Sequence, residues 1–160
     1  MLGLSQGQDR LPDLSPAGQQ AQDDLARETL TRLAAIEQEA TGDDDERRCG
    51  RLLRERLQAG LAASAAGEHL RDLHNIFGPV NRVRNTFLLM PSQSADDWAV
   101  IARRMGQVPA AFTGYRASLA EGMRRGLLAA PRQAQTVVDQ VGDWAAAADG
   151  RGWFAGFCAC

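Results

Sequence analysis

The chain has 160 residues, and its eighteen basic residues, all arginine, are nearly balanced by twenty acids, which gives a formal net charge of −2. This length predicts a single domain, residues 1–160, and this charge provides no electrostatic basis for binding nucleic acid or an anionic membrane. Because the sequence has no basic leader and no apolar run of about eighteen residues, we expect a cytoplasmic protein that does not enter a membrane.

Two long helices are predicted first. Ser15 followed by Pro16 is a typical helix start, and the apolar spacing after it predicts a helix over residues 16–40. The acids of "TGDDD" suit the positive end of a second helix. We expect this second helix to be interrupted near Gly67, and its apolar stripe consists of Cys49, Leu53, Leu57 and Leu61.

The stretch "GEHLRDLHN" holds both histidines and raises the question of a metal site. On one helix, His69 and His74 would point about 140° apart, so they cannot share an ion as the four-residue spacing of a zinc-protease helix allows. The pairs that share a face are Glu68 with Asp72 and His69 with Asp72. We predict an exposed helix face near a helix end, with no metal ligand and no catalytic residue.

A short amphipathic segment follows Pro79. Its apolar face is predicted to contain Val80, Val83 and Phe87. Its polar face carries Asn81, Arg84 and Asn85. Two interpretations stay open for that face, because Arg84 can bind a carboxylate through its forked guanidinium, whereas such a face is more often solvated or caps a neighbouring helix.

The segment "SADDWAVIARRMGQVP" has the clearest helix boundaries. Ser94 is predicted to cap the helix with Asp97 at the capping-box position, and Gly106 and Pro109 mark its end. Four residues of this segment follow the helical spacing i, i+3, i+4 and i+7, which predicts a core stripe formed by Trp98, Ile101, Ala102 and Met105.

Two further helices are expected to form an antiparallel hairpin around "AAP". The stripe of the first contains Phe112, Tyr115, Leu119, Met123 and Leu127. The second begins at Pro131, and its stripe contains Ala134, Val137, Val138 and Val141. Since no stretch alternates as a strand does, the predicted fold is all-α, built of amphipathic helices in antiparallel hairpins.

The end of the chain, "DGRGWFAGFCAC", is apolar and aromatic. Trp153, Phe154 and Phe157 are expected to form an exposed tail that seeks a partner surface. Cys158 and Cys160 could in principle bind a soft metal, but a terminus with two free thiols is the favoured interpretation. Three cysteines do not make a disulfide framework in a chain of this size.

The order of several segments resembles the N-terminal part of a bacterial family known as domain of unknown function 885. The resemblance covers roughly residues 8 to 150 and is carried by "DRLPDLSPAG", "GEHLRDLHNIFGPVNRVRNTFLLMP" and "DDWAVIARRMGQVPAAFTGYRASLAEGMRRGLLAAPRQAQTVVDQV". It implies a longer, mostly helical protein that looks like a zinc metallopeptidase, with the metal helix in a second half that this sequence does not contain. His69 and His74 do not match that helix, so no catalytic, cofactor-binding or metal-binding residue is carried over.

These observations lead to two main hypotheses. The first is an N-terminal helical portion of a metallopeptidase-like protein, non-catalytic by itself, that packs on the missing C-terminal region and forms one wall of its cleft; zinc is expected in the full-length family and not in this chain. The second is a free-standing helical module for protein interaction or self-association. An enzyme of another class is disfavoured, because no phosphate loop follows a strand and no nucleophile elbow is present.

Overall fold

The structure, a computed structural model, describes residues 9–38, 43–145 and 152–158. These residues contain no strand, and the predicted all-α fold is confirmed. No helix among them is long and apolar enough to cross a membrane. A single 3₁₀ turn, Glu68–Leu70, lies between the second and third helices, and the α-helices in chain order are α1 (Pro16–Gln38), α2 (Asp44–Ala65), α3 (Pro79–Leu88), α4 (Ala95–Met105), α5 (Val108–Arg124), α6 (Pro131–Ala145) and α7 (Trp153–Cys158).

Helices α1 and α2 run antiparallel. Asp23, near the start of α1, accepts a hydrogen bond from Ser64 near the end of α2, whereas Glu37, near the end of α1, pairs with Arg54. Pro16 is the first residue of α1, as predicted, and the last two residues of the predicted helix lie outside the described residues. The predicted role of "TGDDD" is seen at Asp43, whose carboxylate accepts two backbone N–H groups at the start of α2.

The predicted interruption of the second helix lies at Gly67. This glycine has φ 76° and ψ 22°, a left-handed conformation that costs little without a Cβ. A methyl group there would also overlap the side chain of Leu127. The 3₁₀ turn that follows buries Leu70 at 2% exposure. The prediction that His69 and His74 lie on a helix face is therefore wrong, since His69 lies in the 3₁₀ turn and His74 in the segment without helix that follows it.

A hydrophobic core surrounds Phe87 of α3. Phe87 is fully buried and forms a cluster with Val83, Met90 and Ile101. Helix α7 packs its rings onto this cluster, with the Phe154 ring 5.6 Å from Phe87, centroid to centroid. The expectation of an exposed aromatic tail is therefore wrong for the described part of that segment, because its partner surface belongs to the same chain.

Helix α4 has the predicted ends but not the whole predicted stripe. Ser94 and Asp97 form a reciprocal capping box, and the helix ends at Met105 before Gly106. Ile101 is buried, whereas Ala102 is exposed. Arg104 is buried instead, with 2% of its surface exposed.

The predicted apolar stripes of α5 and α6 are only partly buried. Tyr115 and Val137 are buried, but Met123 is 69% exposed and Val138 is 64% exposed. Leu127 lies beyond the end of α5 and packs against Gly67. The side-chain contacts of α6 reach α3, and no close α5–α6 packing is seen in the described residues, so the predicted α5–α6 hairpin is not confirmed.

Candidate functional site

One open groove of about 1720 Å³ runs between the N-terminal segment, the 3₁₀ turn and α3. Its walls are formed chiefly by residues 10–15, 71–77 and 128–130, with side chains from α1, α2, α3 and α5. The groove is larger than the roughly 300–1,000 Å³ of a pocket for a small ligand. It brings Arg104 of α4 onto the same surface as His69, Asp72 and His74, which come from the segment between α2 and α3. We refer to this feature as the groove.

Asp72 is the centre of a polar network in the groove. Its carboxylate pairs with His74 Nε2 at 2.9 Å and with Arg82 Nη2 at 3.0 Å. The backbone carbonyl of Asp72 accepts a hydrogen bond of 2.7 Å from the Tyr115 hydroxyl, and burial raises the pKa of that phenol. The helix face that Asp72 was predicted to share with Glu68 and His69 does not form, because Asp72 follows the 3₁₀ turn instead of continuing a helix. The network fixes the segment after the turn against α3 and α5.

A second cluster joins Asp23, Ser64 and His69. The Ser64 hydroxyl donates to the Asp23 carboxylate at 2.6 Å. Burial raises the pKa of Asp23, but hydrogen bonds from Ser64 and Gln19 outweigh it and hold that pKa below its usual value. The hydroxyl proton is therefore directed to the carboxylate and not to an imidazole, which is the reverse of the order that activates a nucleophilic serine.

His69 completes this cluster without a hydrogen bond at its buried nitrogen. Nδ1 is buried and has no hydrogen-bond partner in the part of the chain that the structure describes. Burial lowers the pKa of His69, and the nearby Asp23 charge only partly opposes that effect. Sequence reasoning missed the cluster because Asp23 and Ser64 lie on different helices, 41 residues apart.

Arg104 is the most unusual group on the groove. It lines the groove although it is only 2% exposed, and its Nε and Nη1 atoms are buried with no hydrogen-bond partner among the described residues. Burial lowers the pKa of Arg104, while the charge of Asp9 raises it. The spacing did contain a signal, because position 104 follows the buried Ile101 by three residues and lies on the core side of α4.

The predicted polar face of α3 does not act as one unit. Asn81 is buried and donates to the carbonyl of Asn75 at 3.0 Å, and Asn85 is exposed at the groove. Arg84 stacks on two indole rings, 5.0 Å from the centroid of Trp144 and 4.8 Å from that of Trp153. The guanidinium that was expected to bind a carboxylate or to lie in water is therefore enclosed by aromatic rings.

The described residues contain no group of three or more His, Cys, Asp or Glu side chains placed to hold a metal ion. Cys49 and Cys158 are exposed, free thiols, and Cys158 Sγ lies 3.7 Å from the sulfur of Met105. Cys160 lies outside the described residues, so the Cys158–Cys160 pair is not tested. The prediction that this chain holds no metal stays a prediction.

A family model described as "Bacterial protein of unknown function (DUF885)" matches residues 1–156. No curated protein matches the chain significantly. Because the family match covers nearly the whole sequence, the chain belongs to the DUF885 family.

Proposed function

We propose that this member of the DUF885 family is a non-catalytic helical wall of a peptide-binding cleft in a metallopeptidase-like protein. The observation that supports this most is the groove, which combines exposed apolar side chains with ion pairs such as those of Asp72 with His74 and Arg82. The partner expected from this proposal is a metallopeptidase-like region that supplies the zinc and completes the cleft. The groove is then the surface that this chain contributes.

The apolar lining favours an elongated organic ligand. Phe77 is 74% exposed, Leu128 is 63% exposed and Ile76 is 62% exposed, and all three line the groove. Covering such side chains stabilises a complex by about 25 cal/mol per Å² of apolar surface. Exposed apolar surface grouped with polar residues is typical of a binding site. A peptide provides both the apolar side chains and the length that a groove of this size accommodates.

The polar groups of the groove favour a binding role over a catalytic one. Zinc hydrolysis requires a metal, a polarised water and a general base held together. In the groove, His74 and Arg82 are both paired with Asp72, and Ser64 donates to Asp23. These contacts position the walls and leave the chemistry to another region.

The test is a zinc-dependent peptidase assay on the purified 160-residue chain, combined with equilibrium dialysis of the same peptides. We expect peptide retention without turnover. Cleavage that requires zinc and is stopped by a chelator would overturn the non-catalytic role. A second arm mixes the chain with the separately expressed C-terminal region of a longer family member, and a complex on size exclusion is expected; two separate peaks would contradict the proposed partner.

A self-association module is the second candidate, and exposed apolar residues on two helices favour it. Leu52 and Leu53 on α2 are 54% and 43% exposed, and Val138 on α6 is 64% exposed. Size exclusion with light scattering separates the two functions. A dimer that Val138→Glu or Leu53→Glu converts to a monomer would favour self-association, and a monomer with a sharp, concentration-independent unfolding transition would count against it.

A further inference from the structure

We propose that Arg104 is a carboxylate-binding residue in the groove, where it holds the carboxylate of a bound peptide. This inference rests on the proposed function, since it names the charged group of the ligand that the groove takes. Its physical basis is a buried cation that has no hydrogen-bond partner in the described part of the chain.

Burying the charged guanidinium of Arg104 costs free energy unless an anion binds to it. A guanidinium carries five N–H donors, and a buried charge is strongly disfavoured unless it is paired and hydrogen-bonded. Arg104 is 2% exposed, and within residues 9–38, 43–145 and 152–158 its Nε and Nη1 atoms have no hydrogen-bond partner. An anion that enters the groove would provide the missing acceptors, and a carboxylate matches the planar fork of a guanidinium.

The charges around Arg104 do not already neutralise it. Asp9 acts on Arg104 through its charge, but its carboxylate pairs with Arg103 at 3.3 Å. Within the groove, Glu68 pairs with Arg71, and Asp72 pairs with Arg82 and His74. These ion pairs therefore engage Asp9, Glu68 and Asp72, and among the described residues Nε and Nη1 of Arg104 have no acceptor.

The charge balance favours a single negative charge over a phosphate. The groove is lined by four arginines, Arg10, Arg71, Arg82 and Arg104, and by three acids, Asp13, Glu68 and Asp72. A carboxylate balances the one excess guanidinium. A phosphate dianion would bring additional negative charge close to the three acids, which opposes binding. The exposed apolar side chains of the groove also favour a ligand with apolar groups of its own, which an inorganic ion lacks.

The test compares three N-acetylated probes on the intact 160-residue chain by titration calorimetry. The first is Leu-Phe with a free terminal carboxylate, the second is the same peptide as an amide, and the third is Leu-Glu-Phe amide, which carries its carboxylate on a side chain. We expect one or both carboxylate peptides to bind about tenfold more tightly than Leu-Phe amide, as a charge-assisted hydrogen bond provides. Which of the two binds better identifies the source of the carboxylate.

The variants are Arg104→Met, Arg104→Lys and the matched control Arg132→Met, which removes an exposed arginine of α6 outside the groove lining. Arg104→Met should abolish the preference for carboxylate peptides, Arg104→Lys should reduce it, and Arg132→Met should retain it. A preference that survives in folded Arg104→Met would overturn the proposal. If Arg104→Met does not fold, the Arg104→Lys result and the wild-type preference decide.

Two further outcomes distinguish a failure of the Arg104 assignment from a failure of the proposed peptide-binding function. Equal binding of the amide and carboxylate peptides by the wild type would remove the role of Arg104 and leave peptide binding intact, whereas binding of none of the three would remove both. Competition by inorganic phosphate but not by acetate would identify a phosphate site and overturn the carboxylate assignment.

Discussion

The α1–α2 pair and the cluster around Phe87 are held by different forces. Helices α1 and α2 span 23 and 22 residues, yet the only residue that each buries is a glycine, Gly18 in α1 and Gly50 in α2. Helix α3 has ten residues and buries four of them, including Val83 and Phe87. The long helices therefore pack through half-buried side chains and polar contacts, whereas the short helix is stabilised by fully buried apolar side chains.

This difference shows that helix length does not indicate where the stability lies. At Gly50, a Cβ would lie 3.1 Å from the Glu37 carboxylate, so the two long helices approach closely at that point. Burial of a large apolar side chain stabilises by about 1.5–3 kcal/mol, whereas an exposed ion pair stabilises by about 0–1 kcal/mol. We therefore expect the cluster around Phe87 to dominate the free energy of unfolding, and the α1–α2 pair to open more readily.

The largest effect is expected for Phe87→Ala. Deleting a fully buried ring removes its apolar burial and leaves a cavity, which costs about 3–5 kcal/mol. Urea unfolding followed by circular dichroism measures the change. Phe77→Ala is the matched control, because Phe77 is 74% exposed and its loss should change the free energy of unfolding by at most about 0.5 kcal/mol. Similar losses in the free energy of unfolding for the two variants would contradict the dominant role of the cluster around Phe87.

Adding one methyl group should act with opposite signs at Gly122 of α5, which is closely packed, and at Gly60 of the α1–α2 pair, which is not. At Gly122, where α5 crosses the 3₁₀ turn, a Cβ would overlap the Leu70 carbonyl oxygen, so Gly122→Ala is expected to destabilise by about 1–3 kcal/mol. At Gly60 of α2 a Cβ meets nothing within 4 Å, and alanine should stabilise the helix by about 0.5–1 kcal/mol. Thermal unfolding of both variants provides the comparison, and a destabilising Gly60→Ala would show that α2 is more tightly packed than described.

Ser64→Ala tests the polar link between the long helices. The variant removes the hydrogen bond to Asp23 and should cost about 1 kcal/mol, since Gln19 also donates to that carboxylate. The loss should appear in hydrogen exchange as faster opening of α1 and α2. Thr31→Ala is the control, because its hydroxyl bonds only to the Arg27 carbonyl of the same helix. Unchanged exchange in Ser64→Ala would mean that other contacts hold the pair together.

The smallest effect is expected from the titration of His69. Burial lowers its pKa in the folded state, so below about pH 6.5 the unfolded chain takes up a proton that the folded chain resists. Stability is therefore fully present above that pH and falls as the pH drops towards the lowered pKa. Melting temperatures between pH 5 and pH 8 should show this slope, and His69→Gln should reduce it. An unchanged slope in the variant would assign the pH dependence to other groups.

The local signals in the sequence were sufficient for the helix starts and the main break. Pro16, the Ser94 capping box and Gly67 act through their own backbone geometry, and each lies where it was predicted. Which helix faces are buried was less predictable, because the periodicity of apolar residues identifies a stripe but does not show which element covers it. Met123 lies on the predicted stripe with the buried Tyr115 but is exposed, since no element covers that part of α5 among the described residues.

The candidate site depended still more on tertiary contacts. Residues 67 to 75 were identified from the sequence as chemically notable, but the contacts there follow from the 3₁₀ turn that replaces the expected helix. Arg84 was singled out for a carboxylate and instead lies between Trp144 and Trp153, because α6 and α7 both reach α3. Arg104 was not singled out, although its spacing from Ile101 placed it on the core side.

The placement of the tryptophans, two of which enclose Arg84, also determines what spectroscopy can detect. The three tryptophans of the chain are Trp98, Trp144 and Trp153, and none of its aromatic residues lies between residues 16 and 65. Intrinsic fluorescence and near-ultraviolet dichroism therefore report on α4, α6 and α7 and do not detect α1 and α2, whereas far-ultraviolet dichroism includes both long helices. Non-coincident transitions from these signals would reveal separate opening of the α1–α2 pair, and the same signals would coincide if the chain unfolds in one step.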